Sequence, residues 1–107
     1  MTSPSSSDDR GLYSGLIRLH ILHHAAAGPI FGQAVIDELA QHGYRLSAGA
    51  LYPMLHGMER QGYLISQQTL SGGRSRRMYQ VTPAGRKALA DARRRVRELF
   101  GETFDRG

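Results

Sequence analysis

The chain has 107 residues, 40% of them hydrophobic and 21% charged, which is the composition of one globular domain with no room for a catalytic domain beside a regulatory one. It contains no cysteine, which excludes a disulfide scaffold, a thiolate zinc site and thiol catalysis. The net charge of +5 is uneven: residues 60–97 hold ten Lys/Arg and one acid, Asp91, whereas residues 1–59 (three Arg, five acids) and 98–107 (one Arg, three acids) each sum to −2.

That block of positive charge suggests a surface for a polyanion, with a solvated basic face as the alternative. Thirteen of the fourteen basic residues are arginine. Arginine suits phosphate and guanine recognition, but coding bias also enriches Arg, Ala and Gly together. No apolar run approaches the roughly 18–20 residues that span a bilayer. The opening MTSPSSSDDRG has neither a basic start nor an apolar stretch, so no signal peptide is expected and a cytoplasmic protein is the default.

Residues 1–10 are polar and Ser-rich and read as a disordered tail. Residues 12–27 read as a helix with Leu12, Leu16, Leu19, Leu22 and Ala26 on one face, ended by Gly28-Pro29. Residues 31–42 form a second helix on Val35, Ile36 and Leu39, stopped by Gly43. A third starts after the N-cap Ser47, carries Leu51, Leu55 and Met58 inward, and ends at Gly62. Pro53 removes a donor in its second turn, which predicts a loosened first turn rather than a break. The period then changes to two. Tyr63 to Leu70 and Arg76 to Val81 read as strands joined by Ser71-Gly72-Gly73-Arg74. Thr82 and Pro83 open a last helix as N-cap and first helical residue. Its apolar positions are Ala84, Ala88, Leu89, Ala92, Val96, Leu99 and Phe100.

The expected fold is mainly α with a small β-hairpin: a winged helix-turn-helix over 11–82 and a C-terminal dimerisation helix over 83–107. A helix fits the major groove, and an arginine-bearing hairpin tip reaches the neighbouring backbone or minor groove. Burying Leu89, Val96, Leu99 and Phe100 yields roughly 1.5–3 kcal/mol each. Two such helices offset the ~4–15 kcal/mol that association costs, so a two-fold dimer is feasible.

The stretch Leu46-Ser47-Ala48-Gly49-Ala50-Leu51-Tyr52-Pro53-Met54-Leu55 resembles the Ser-x-Gly-x-Leu-Tyr-Pro-x-Leu segment of the PadR family of transcriptional regulators. Met58-Glu59-Arg60-Gln61-Gly62-Tyr63-Leu64 is similar to its Leu-Glu-x-x-Gly-Leu helix end. Arg77-Met78-Tyr79-Gln80-Val81-Thr82-Pro83-Ala84-Gly85 is similar to its Tyr-x-Leu-Thr-x-x-Gly wing strand. The resemblance covers roughly residues 12–100 and, with one short helix after the wing, points to the compact branch. Where the family's second helix opens Tyr-Gly-Tyr, this chain has Phe31-Gly32-Gln33. Drug-sensing members place Trp in a dimer pocket, and this chain has none.

The resemblance makes the third helix the recognition element. It implies DNA contacts from Ser47, Gly49, Tyr52, Pro53 and His56, with Gln33 offering a phosphate contact from the second helix. Gly49 is small enough for close backbone approach. An ordinary surface, with Tyr52 folded partly into the core, is the alternative. At the wing, Arg74 and Arg76 are the DNA candidates, whereas Arg77 alternates with Tyr79 and Val81 and leans back on the fold. The Arg93-Arg94-Arg95 run with Arg97 reads as a solvated helix face. Leu12, Leu16, Leu89, Ala92, Val96, Leu99 and Phe100 are the dimer-interface candidates. A dimer places two recognition helices about 34–36 Å apart on a near-palindromic operator.

Five histidines pose a further question. His23 falls among Leu12, Leu16 and Leu19 and reads as a core or interface residue. His20 and His24 stand one turn apart, a spacing that can clamp a transition metal such as zinc or cadmium as an effector. Two ligands are too few, so a third must come from a carboxylate, His42 or a partner chain. Partly exposed histidines without metal are the alternative.

No nucleophile motif or phosphate loop occurs, so no enzyme and no required cofactor is expected. The leading expectation is a homodimeric DNA-binding regulator, a repressor whose affinity an effector shifts through the placement of its two wings. A winged-helix module for protein partners and a metal-handling protein are the alternatives.

Overall fold

Four helices and three strands follow one another in a computed structural model that describes residues 7–106: α1 (Ser7–Ala27), β1 (Ile30–Phe31), α2 (Gly32–Gln41), α3 (Ala48–Arg60), β2 (Leu64–Ser71), β3 (Arg74–Val81) and α4 (Pro83–Arg106). The order is that of a winged helix-turn-helix with a single helix after the wing, α4, which at 24 residues is longer than the short helix expected there. Helix α1 begins at Ser7, within the stretch expected as a tail; residues 1–6 lie outside the described residues. No helix among the described residues is long and apolar enough to cross a membrane.

The core gathers one face from each element. Ile17, Ile21, Leu22 and Ala25 of α1 meet Val35 and Leu39 of α2, Leu51, Leu55 and Met58 of α3, Leu64 of β2, Tyr79 of β3 and Leu89 of α4. Of the expected leucine row, Leu22 lies in the core and Leu19 and Ala26 are half-buried, but Ile17, Ile21 and Ala25 complete the inward stripe in place of Leu12 and Leu16. Leu12 stays 72% exposed and Leu16 52%, because a helix with two apolar stripes can bury only one against a single domain. His23 shares that outward face and is exposed, so its placement in the core of the chain is overturned.

Ser47 caps α3 as expected: its hydroxyl accepts from the Ala50 N–H at 3.2 Å. The loosened first turn does not occur. Ala50 and Leu51 N–H both reach the Ser47 carbonyl, at 3.1 and 2.9 Å, and the helix runs unbroken through Pro53. The donor that Pro53 lacks would have met the carbonyl of Gly49, an exposed position within reach of water.

The hairpin is tighter than expected. The ladder continues to Ser71↔Arg74, so β3 starts at Arg74 and the turn has two residues. Gly72 and Gly73 both take positive φ, 59° and 79°, as a two-residue turn matched to strand twist requires. Strand β1 was not foreseen. Ile30 pairs with Tyr79 and Phe31 with Met78, giving the antiparallel order β1-β3-β2 and making β3 the central strand.

Thr82 joins wing to α4. Its hydroxyl accepts from the Gly85 N–H at 3.0 Å and donates to the Gly62 carbonyl at 2.5 Å. Gly85 is buried directly beneath the Tyr63 carbonyl, where a Cβ would collide with backbone. Gly85→Ala is therefore expected to lower the urea midpoint. Overpacking strain of roughly 1–3 kcal/mol outweighs the gain in helix propensity, about 1 kcal/mol at most. An unchanged or raised midpoint would contradict that close approach.

Candidate nucleic-acid interface and histidine cluster

The outer surface of α3 carries the residues expected there. Ser47, Gly49, Pro53 and His56 are exposed, and Tyr52 is half-buried. The Tyr52 ring fills the space over Gly32, where any Cβ would strike it, so part of this side chain is structural. His56 lies 6.4 Å from Tyr52 between ring centroids, one turn along the same face. Gln33 is exposed but donates to Asp37 at 3.0 Å, and that neighbouring carboxylate opposes a phosphate contact.

The wing is tied to this helix at two levels. Arg76 stacks over the Phe31 ring at 5.2 Å, and the next residue, Gly32, receives Tyr52. Closer to the core, Ser66 donates to Glu59 at the end of α3 at 2.8 Å, and Arg77 donates to Ser66 at 3.0 Å. Arg77 therefore leans back on the fold, as its alternation implies. Arg74 and Arg76 are both exposed. On α4, part of the positive charge is already matched: Asp91 accepts from Lys87 at 2.9 Å and has Arg94 at 3.7 Å. The Lys87 hydrogen bond and charge hold the Asp91 carboxyl below its ordinary range.

The dimer candidates separate by burial. Leu12, Leu16, Leu99 and Phe100 are exposed, at 72%, 52%, 76% and 53%, while Ala92 and Val96 are half-buried. Leu89 is only 5% exposed and packs in the chain's own core, which leaves it little surface for a partner. Across the same region, Arg93 reaches Nδ1 of His23 at 2.7 Å and ties α4 to α1. Arginine only donates, so that nitrogen is the acceptor.

The histidines of α1 meet the end of α2. His20, Glu38 and His42 bring one ligand atom each to within 4.8 Å of one another. His42 Nε2 lies 3.1 Å from the Glu38 carboxylate and His24 Nε2 3.6 Å from it. The His20 and His24 rings are 4.4 Å apart, as their spacing implies, but His24 is not one of the three convergent donors. Burial, with His24 and His42 nearby, holds His20 below the ordinary histidine range.

Residues 21–91 match the Transcriptional regulator PadR-like family. The chain belongs to the PadR-like family. A curated relative, Transcriptional regulator Rv3488 of Mycobacterium tuberculosis, is 52% identical over 88 residues, covering 82% of each chain. Solved structures agree. A PadR family transcriptional regulator from Eggerthella lenta superposes with a TM-score of 0.76 at 27% identity, over 89% of this chain and 84% of that one. The smu.1704 protein of Streptococcus mutans gives 0.75 at 25% identity, over 98% and 91%. This PadR-like chain is thus a transcriptional regulator that acts on DNA and not an enzyme.

Three partners escaped the sequence reading of this PadR-like protein. Glu38 has the signal that flagged the histidines, since it stands four residues before His42 on one helix. Phe31 and Glu59 have no local signal, because their roles depend on which strand and helix they meet.

Proposed function

We propose that this PadR-like protein is a cytoplasmic repressor that binds a near-palindromic operator as a homodimer. The observation that carries this reading is the outward apolar face shared by α1 and α4. Leu12, Leu16 and Leu99 are largely exposed in the single chain, and a second copy supplies the matching surface by two-fold symmetry. Each protomer then offers Ser47, Gly49, Tyr52, Pro53 and His56 to the major groove and Arg74 and Arg76 to the flanking backbone. An effector acts by changing the relative placement of the two wings, which requires different affinity for the two arrangements. The histidines of α1 favour a divalent transition metal, zinc or cadmium, as that effector.

The test is an electrophoretic mobility shift with DNA upstream of the protein's own gene, at near-physiological salt and with competitor DNA. A discrete complex is expected from the wild type. Tyr52→Phe keeps the ring over Gly32 and removes only the hydroxyl. It is expected to leave the unfolding midpoint within about 0.5 kcal/mol and to weaken operator binding about tenfold, the loss of a charge-assisted hydrogen bond of roughly 1.5 kcal/mol. A wild type without a specific complex, or a Tyr52→Phe variant of full affinity, would contradict the respective assignment.

A further inference from the structure

We propose that His20, Glu38 and His42 bind one Zn²⁺ ion that clamps α1 to the end of α2. The three ligand atoms already converge within 4.8 Å. Two imidazoles and one carboxylate form a common three-ligand zinc set, with a fourth position left for water or a further donor. Bonds of about 2.0–2.2 Å at tetrahedral angles put such donors roughly 3.3 Å apart, so rotations of the three side chains close the set. His24, whose ring lies 4.4 Å from that of His20, stands beside the set without being one of its three convergent donors, which leaves the fourth position to water.

Hydrogen bonding does not account for the whole cluster. Glu38 is hydrogen-bonded to His42 at 3.1 Å and stands 3.6 Å from His24, beyond hydrogen-bond reach, while the buried Nε2 of His20 meets no partner. A buried nitrogen left in that state is costly, and a metal bond satisfies it. Imidazole nitrogens select borderline transition ions over hard ones such as magnesium or calcium.

The position gives the ion leverage. Helix α2 ends at Gln41 and leads through Leu46 and Ser47 into α3. Fixing α2 to α1 therefore fixes the recognition helix relative to the apolar outer face of α1. This consequence rests on the proposed effector-responsive repressor; the binding itself does not, and is measured without DNA.

The experiment is calorimetric titration of zinc chloride into the full chain as wild type, Glu38→Gln, His42→Ala and His56→Ala. His56 is the control, an exposed histidine of α3 outside the cluster. One ion per chain is expected for wild type and His56→Ala, with at least tenfold weaker binding for Glu38→Gln and His42→Ala. Far-UV circular dichroism checks that each variant folds. X-ray absorption on the zinc-loaded wild type, which needs no variant, is expected to show at least two imidazoles and only nitrogen or oxygen donors. No binding, equal affinity in all four proteins, or fewer than two imidazoles on the ion would overturn the proposal. Failure to bind an operator with the zinc site intact would count against the repressor reading alone.

Discussion

Replacing Arg74 and Arg76 together by alanine will flatten the salt dependence of operator binding. Each phosphate contact contributes about 0.9 to the slope of log affinity against log salt, so the pair accounts for about 1.8 per chain and twice that per dimer. The effect is concentrated here because both arginines are exposed on the wing, Arg76 with its guanidinium over the Phe31 ring. Arg77, by contrast, is held by Ser66, and Arg94 stands beside Asp91. Arg76 gives up its stacking on Phe31 in the variant as well, but both side chains lie outside the core, so folding is expected to persist. Arg94→Ala is the control and should leave the slope nearly unchanged. A double variant with the wild-type slope would remove the wing from the DNA interface.

Leu99→Asp is expected to convert the proposed dimer to monomer. Leu99 is 76% exposed in the single chain, so the substitution costs the isolated fold little. In the dimer the change occurs twice. Each copy forfeits roughly 1.5–3 kcal/mol of apolar burial and places a carboxylate in an apolar contact. The combined loss exceeds ~3 kcal/mol, at least about a hundredfold in the dissociation constant. Sedimentation equilibrium reads this directly, and circular dichroism confirms that the helices remain. Specific operator binding should fall with the dimer, because one protomer grips a single half-site. An unchanged dimer would move the interface away from α4.

The order of elements was legible because each carries its own punctuation. Ser47 and Thr82 cap their helices, Gly43 and Gly62 end two of them, and Gly72-Gly73 closes the hairpin. What stayed hidden depends on tertiary partners. A two-residue strand such as Ile30–Phe31 has no period of its own and exists only through pairing with Tyr79 and Met78. Periodicity marked the leucine row of α1 as apolar but could not say that Leu22 would join Ile17 and Ile21 in the core while Leu12 and Leu16 stayed outside; propensity and pattern treat these positions alike. For the same reason Leu89 read as an interface residue together with Leu99, although ten residues of helix separate a core position from an outward one. In the histidine cluster, spacing along one helix exposed His20 and His24 and left His42 or a carboxylate as the third donor; that Glu38 is this carboxylate, and that His24 stays outside the convergent trio, depends on how α2 packs beside α1.

The pairing of two identical recognition surfaces on one duplex is tested most directly by hydroxyl-radical footprinting on the upstream DNA, with binding stoichiometry measured on the same fragment. Two protected half-sites related by a dyad, centred about 10–10.5 base pairs apart or a multiple of that, with two chains per duplex, are expected. A single protected patch bound by one chain would contradict the two-fold arrangement of α3 and the wing.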